Sequence, residues 1–184
     1  LAGVETPSSG TIELEGKAVT LTSTQQAERL GISIIFQELN LFPNMSVMDN
    51  IFMANEFFQR GRINVDYQYQ LAKSLLQRLE LDIDPHTSLG SLGIGHQQLV
   101  EIARALAKDT RVLIMDEPTS ALSQAEVRTL FRVIADLNKR GVTLIYISHR
   151  LEELMEIGDR ITVFRDGRFV AAEPGSNVSI PWII

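Results

Sequence analysis

An α/β fold built on a parallel sheet is what this sequence predicts, and three observations predict it. Two apolar runs, "VLIM" (Val112–Met115) and "VTLIYIS" (142–148), lack the alternation of a strand with one wet face. Between them Val127, Leu130, Phe131, Ile134 and Leu137 recur at helical spacing. A third run, "ISIIF" (Ile32–Phe36), is β-branched and short enough for a buried strand. Strand, crossover helix and strand, all apolar, describe a βαβ unit in a sheet covered on both faces.

The other elements follow in chain order. The opening "LAG" starts on Leu1 rather than Met and reads as the end of a helix that begins upstream, so the expectation is a fragment. "TIELEGKAVTL" alternates on both sides of Gly16, the pattern of an antiparallel ribbon. "SVMDNIFMA" and "YQLAKSLLQRLEL" carry helical spacing, the second with Leu71, Leu75, Leu76 and Leu79 on one face. They open a helical subdomain placed at about 46–108, before core strands at 109–172. "GHQQLVEIARALAKD" closes that subdomain as an amphipathic helix with Leu99, Ile102, Ala103 and Leu106 facing inward. Gly141 stands where the Val127–Leu137 helix needs a left-handed cap. "RITVFRDGRFVAA" is a hairpin turned at Asp166-Gly167. "EPGSNVSIPWII" reads equally as an approach to a second domain and as an artificial end.

Composition narrows the function classes. A chain of 184 residues, 45% hydrophobic and 22% charged, has material for one full core. A formal charge of −6 offers no general attraction to nucleic acid. The absence of cysteine excludes disulfides and thiolate metal sites. No apolar run approaches the roughly 18 residues of a membrane span.

Ligands of open parallel sheets bind beyond the carboxyl ends of the strands. Gln37 follows "ISIIF", Asp116 and Glu117 follow "VLIM", and His149 follows "VTLIYIS", so like-directed strands bring an amide, two acids and an imidazole to one edge. Taken singly, Asp116 reads as an N-cap or a turn acid and His149 as a helix cap, and Gln37 signals nothing. Their co-location carries the argument. Two adjacent acids after a buried strand suit phosphoryl chemistry, in which one group holds magnesium and the other orients or deprotonates water. Such a site needs a phosphate cradle, yet G-x-x-x-x-G-K-[ST] occurs nowhere in the chain. "GTIELEGKA" has the wrong spacing and reads as strand. "GIGHQQ" lacks a third glycine, although its glycines open a helix whose free N–H groups favour an anion.

These pieces, in this order, resemble the nucleotide-binding domain of the ATP-binding-cassette family. "FQELNLFPNMSVMDNIF" resembles its Q-loop, "LGIGHQQLVEIARAL" its signature motif and helix, "RVLIMDEPTSALS" its Walker B and D-loop, and "YISHRLEEL" its switch histidine. The likeness spans nearly the whole chain and is greatest to ATPase subunits of ribose-type monosaccharide importers. It implies a P-loop-NTPase-like parallel sheet with a helical insertion and flanking antiparallel strands, and a phosphate loop lying just upstream of Leu1.

The resemblance also implies roles. Asp116 and Gln37 would serve Mg2+, Glu117 would activate the hydrolytic water, and Gln37 and His149 would contact the γ-phosphate of ATP. Gly93, Gly95, His96 and Gln97 would close on ATP held by a second cassette, and Ser120 to Ser123 would form the loop between the two sites. Implied partners are permease membrane subunits, a second cassette in tandem or as a dimer, and indirectly a periplasmic sugar-binding protein, with no nucleic acid. The implied place is the cytoplasmic face of the membrane, and these 184 residues alone would be inactive. A soluble cassette remodelling nucleic acid or ribosomes, and a non-catalytic fragment, are the alternatives. Three departures stand out: Gly93 replaces the signature serine, His96 the usual glutamine and Ser123 the usual aspartate. Losing the serine hydroxyl's bond to a charged phosphate would cost about 1.5–3 kcal/mol. The apolar set Leu41, Phe42, Met45, Met48, Ile51 and Phe52 divides between core and a groove for a membrane partner.

Overall fold

The computed structural model describes residues 2–183; the helix end expected at Leu1 lies outside the described residues. The chain divides into two units, Leu1–Ile145 and Tyr146–Ile184, where its length suggested one.

In the first unit, β1 (Ile12–Leu14) and β2 (Lys17–Val19) pair antiparallel across Glu15 and Gly16, both at positive φ (51° and 73°). That geometry is the type I′ turn, whose twist matches the strands it joins. Helix α1 (Thr24–Arg29), absent from the sequence reading, starts at Ser23, whose side chain accepts the Gln26 N–H. Leu21 and Ala27 then bury against Ile32 and Ile114, with Ile145 packed alongside.

Strand β3 (Ile32–Ile35) ends one residue before the predicted Phe36, which is exposed. It runs parallel to β6 (Val112–Asp116), Ile32 opposite Val112 and Ile35 opposite Met115. Strand β7 (Thr143–Ile147) completes the order β3-β6-β7. The interior of β6 is buried as expected and so is β3 apart from half-buried Ile34, but β7 is not: both its ends are exposed and its middle is half-buried. Cover on both faces therefore holds for two strands of the three. As the last strand in the order, β7 has one side without a neighbouring strand among the described residues.

Between β3 and β6 lies the helical insertion. Helix α2 (Val47–Phe52) is short and opens on a capping box formed by Ser46 and Asp49. Met48, Ile51 and Phe52 enter the core, whereas Phe42 is 50% exposed. A hairpin unforeseen from the sequence follows, β4 (Phe58–Gln59) and β5 (Arg62–Ile63), turned at Arg60 and Gly61 with φ 53° and 78°. Helix α3 (Val65–Arg78) buries Ala72, Leu75 and Leu76 on the predicted face, with Leu71 half-buried. Helix α4 (Ile94–Leu106) buries Leu99, Ile102 and Ala103 as expected, and also Gln98, Val100, Glu101 and Ala105. Leu106 is half-buried. A helix so enclosed is wedged among neighbours on several sides.

Helix α5 (Gln124–Lys139) links β6 to β7. It closes at Gly141 (φ 85°), whose N–H reaches Asn138 O, while Val142 N–H reaches Leu137 O. These two bonds form the Schellman cap that the glycine signalled. The second unit contains α6 (Leu151–Ile157), the hairpin of β8 (Arg160–Arg165) with β9 (Arg168–Pro174), and α7 (Ile180–Ile183). Asp166 and Gly167 turn that hairpin at φ 51° and 71°, as Asp-Gly predicts.

Candidate functional site

Extending the β3/β6 register two residues past Ile35 and Met115 brings Gln37 level with Glu117. The side chains meet there: Gln37 Nε2 donates to Glu117 Oε2 at 3.2 Å. Asp116 ends β6 and is half-buried, as is Glu117. Glu117 has φ 48°, a left-handed conformation that is uncommon for a residue other than glycine and disfavoured before proline. Strain of this kind costs on the order of 1–3 kcal/mol and persists where the surroundings over-determine it. Here the next turn does so: Ser120 N–H bonds to Glu117 O, Leu122 N–H bonds to Thr119 O, and Thr119 is buried. Ser120 thus contributes its backbone to the turn that aims the carboxylate.

Gly93, Gly95, His96 and Gln97 form the start of α4. Gly93 is its N-cap and offers no side-chain bond, and Gln97 donates from N–H to Gly93 O and from Nε2 to Leu92 O. A Cβ on Gly95 would come within 3.0 Å of Glu126 Oε1 and 3.2 Å of Ala121 O, so glycine permits the close approach. His96 Nε2 lies 3.8 Å from Glu126 Oε1, an ion pair when the imidazole is protonated. Glu126 is in turn the reciprocal member of the capping box of α5, with Ser123 as N-cap. Burial pushes the Glu126 carboxyl up, but the Ser123 hydroxyl and N–H bonds and the nearby His96 outweigh it, leaving it below the ordinary carboxylate range. The glycine turn and the segment 120–126 are therefore in direct contact. Ser123-x-x-Glu126 is the sequence signal by which Glu126 could have been found.

Three further residues escaped the sequence reading. Asn40, three residues past Gln37, is held by α4 from both sides: Arg104 Nη1 donates to Asn40 O at 2.9 Å, and Asn40 N–H points to Glu101 Oε1 at 3.4 Å. Glu101 is 6% exposed and its Oε2 has no hydrogen-bond partner. Burial pushes its carboxyl above the ordinary range, against the Asn40 bond and the Arg104 charge. A cavity of about 480 Å³ beside this clamp is lined by Ser33, Phe36, Asn40, Glu101, Arg104 and Lys108, among others.

His149 belongs to the second unit, whereas Gln37, Asp116, Glu117, Ser120 and the Gly93–Gln97 turn all belong to the first. It is not the helix cap it could have been, since Arg150 holds the N-cap position of α6. Glu153 accepts from Tyr146 OH at 2.7 Å, Ser148 Oγ at 3.2 Å and Arg150 Nη1 at 3.0 Å.

The donor set suits a hard cation. Gln37 uses its Nε2 on Glu117, and its amide oxygen and the Asp116 carboxylate, at the end of β6, are the oxygen donors that would serve one. Magnesium takes oxygen ligands and keeps several waters, so one or two protein oxygens are enough. Among the described residues no cluster of three or more His, Asp or Glu forms an all-protein cage, and no helix is long and apolar enough to cross a membrane.

The family model described as ABC transporter matches residues 1–120. A Burkholderia lata protein named as a ribose/galactose/methyl galactoside import ATP-binding protein is 47% identical over 188 aligned residues, covering all of this chain and 36% of its own length. The ribose import ATP-binding protein RbsA of Rhodopirellula baltica is 50% identical over 169, covering 91% of this chain and 33% of its own. The chain thus spans about a third of the curated relatives it matches. Among solved structures, a dimeric ATP-binding cassette in a post-hydrolysis state with ADP and Pi superposes with a TM-score of 0.78 at 23% identity, over 94% of this chain and 76% of that one.

Proposed function

The chain belongs to the ABC transporter family and has the fold of an ABC ATPase cassette, and from that premise we propose that it forms part of an ATP-hydrolysing subunit coupling hydrolysis to uptake of a monosaccharide. The observation that carries the reading is the Gln37–Glu117 hydrogen bond at the carboxyl ends of two parallel strands. It joins an acid to an amide at the sheet edge beyond which ligands of open parallel sheets bind, and this supports the reading. The names of the import ATP-binding relatives supply the direction of transport and the substrate class.

In this reading Glu117 takes the proton of the water that attacks the γ-phosphate. Its strained backbone keeps the carboxylate forward, and Gln37 fixes the rotamer through Oε2. Asp116 and Gln37 would hold Mg2+, which when bound would supply charge neutralisation for the transferred phosphoryl group. His149 contacts the γ-phosphate. Gly93 to Gln97 face ATP bound by a second cassette, with α4's N-terminal N–H groups as anion donors, and Ser120 to Ser123 run between the two sites. The phosphate cradle is a G-x-x-x-x-G-K-[ST] loop that these 184 residues do not contain, so hydrolysis needs it supplied. Permease subunits receive the Gln37 loop and its exposed Phe42 at the cytoplasmic face of the membrane, and a periplasmic binding protein delivers the sugar. The net charge of −6 weighs against a nucleic-acid substrate.

The test joins the phosphate-loop segment of an import relative ahead of residue 1 and measures Mg2+-dependent ATP hydrolysis. Glu117→Gln keeps the Gln37 contact but removes the base, and turnover should fall on the order of 10²- to 10⁴-fold with ATP still bound. Unchanged turnover in that variant would remove the general-base role.

A further inference from the structure

Two acids are buried among the described residues, Glu101 and Glu153. They differ in how they are satisfied. Glu101 leaves one oxygen without a partner, whereas Glu153, 7% exposed, gathers three donors. Tyr146 OH and Ser148 Oγ both donate to Oε2, and Arg150 Nη1 donates to Oε1. Ser148 Oγ also accepts the Arg150 N–H at 3.0 Å. The donors therefore include the residue before His149 and the residue after it. A carboxylate in such a place costs desolvation unless it is hydrogen-bonded, and these three bonds offset that cost.

We infer that Glu153 is a positioning residue for His149, gripping Ser148 and Arg150 so that the imidazole between them is presented from a fixed backbone. The inference rests on the role of His149 proposed above, and its geometry lies wholly within the second unit. A turn of Glu153's own helix, α6, is thereby tied back to the end of β7 through Tyr146. A histidine on an exposed turn would otherwise sample several backbone states. A misplacement of about 1 Å is enough to cost on the order of 100-fold in rate.

The variants follow from donor chemistry. In Glu153→Gln the new amide would turn its oxygen to Arg150 and its NH2 to the two hydroxyls, which can accept as well as donate. Glu153→Leu fills the space and satisfies nothing. Amide hydrogen exchange, followed by NMR on the 184-residue chain, reads the Arg150 N–H directly. In Glu153→Leu that amide and the His149 amide should exchange roughly ten- to a hundredfold faster; in Glu153→Gln they should stay within a few-fold of wild type. Leu130→Ala, a core truncation in the first unit, serves as a control for general loosening. Exchange in Glu153→Leu no faster than in that control, or Glu153→Gln as fast as Glu153→Leu, overturns the inference. The loop-bearing protein gives a second readout: His149→Ala with Glu153→Leu should turn over no slower than His149→Ala alone, with KM for ATP unchanged by Glu153→Leu. Additive losses overturn the positioning role. If the unsubstituted loop-bearing protein hydrolyses no ATP, the function proposed above fails, and the exchange result still decides whether Glu153 orders His149.

Discussion

Gly93 caps helix α4 and Glu101 lies within it, and each shows a residue type set against its position. Gly93 occupies an N-cap with extended backbone (φ −63°, ψ 156°), and a Cβ there would meet nothing within 4 Å. Serine fits without strain. As a cap it would gain only a few tenths of a kcal/mol over glycine. If the turn acts on a phosphate, the added hydroxyl gains about 1.5–3 kcal/mol there, roughly ten- to a hundredfold in turnover. Gly93→Ser is thus expected to leave the melting temperature nearly unchanged while raising hydrolysis in the loop-bearing protein; equal small effects on both would make Gly93 an ordinary cap. Glu101 gives a pH prediction. Its folded pKa is raised by burial, so below the ordinary carboxylate value both folded and unfolded chains hold the proton and no penalty exists. As pH rises from that value through the raised one, the native state keeps a proton that the unfolded chain has released, and stability falls. Glu101→Gln removes this decline. Melting curves between about pH 4 and 8 should show a slope in wild type that is absent in the variant; parallel curves would mean the carboxyl is not desolvated. Neither Glu101 nor Asn40 was legible in the sequence, because a buried acid inside an amphipathic repeat looks like its polar edge.

Elements were legible where side-chain pattern and turn chemistry agreed. Three hairpins among the described residues turn on a residue followed by glycine, both at positive φ: Glu15-Gly16, Arg60-Gly61 and Asp166-Gly167. The first sits in clear alternation, and Asp-Gly is a strong signal in itself. Arg60-Gly61 joins strands of two residues each, too short for any period to show. Helix α1 is missed for a similar reason, since six residues with Ala27 as the buried one carry no stripe. Helix α5 is the opposite case, with five apolar positions and both caps written in the sequence. Its capping box also holds the contact with the glycine turn, through Glu126. Ser123→Ala should cost about 1 kcal/mol near neutral pH. Glu126's folded pKa is lowered, so its share of this stability is full above the ordinary carboxylate value and is lost as pH falls through the lowered one. The difference in unfolding free energy between wild type and Ser123→Ala, measured by urea titration, should therefore shrink toward about pH 3. A difference that grows on acidification would refute the charge-assisted cap.

At the scale of the whole molecule, the meeting of Gln37 with Glu117 was legible because register follows from short apolar strands, and the ends of β3 and β6 then fall level without knowledge of anything else. The division into two units was not, because the break falls inside the apolar run of β7, which reads as continuous core. That strand is where sequence and surroundings disagree. Its residues have the composition of a strand covered on both faces, yet Ile147 is 48% exposed and Leu144, Ile145 and Tyr146 are half-buried. It also ends the strand order, so among the described residues one row of its backbone donors and acceptors meets no strand. An apolar edge of this kind is a template for pairing with another chain. The 184-residue chain should therefore self-associate as its concentration rises. Ile147→Lys places a charge at the exposed end of that edge, the device by which edges are commonly blunted, while leaving buried Ile32, Ile114 and Leu113 untouched. Sedimentation velocity across a concentration series should show the variant shifted toward monomer with no loss of helix signal in circular dichroism. If Ile147→Lys associates as strongly as wild type, the contact lies elsewhere and β7 is not the open edge of the sheet.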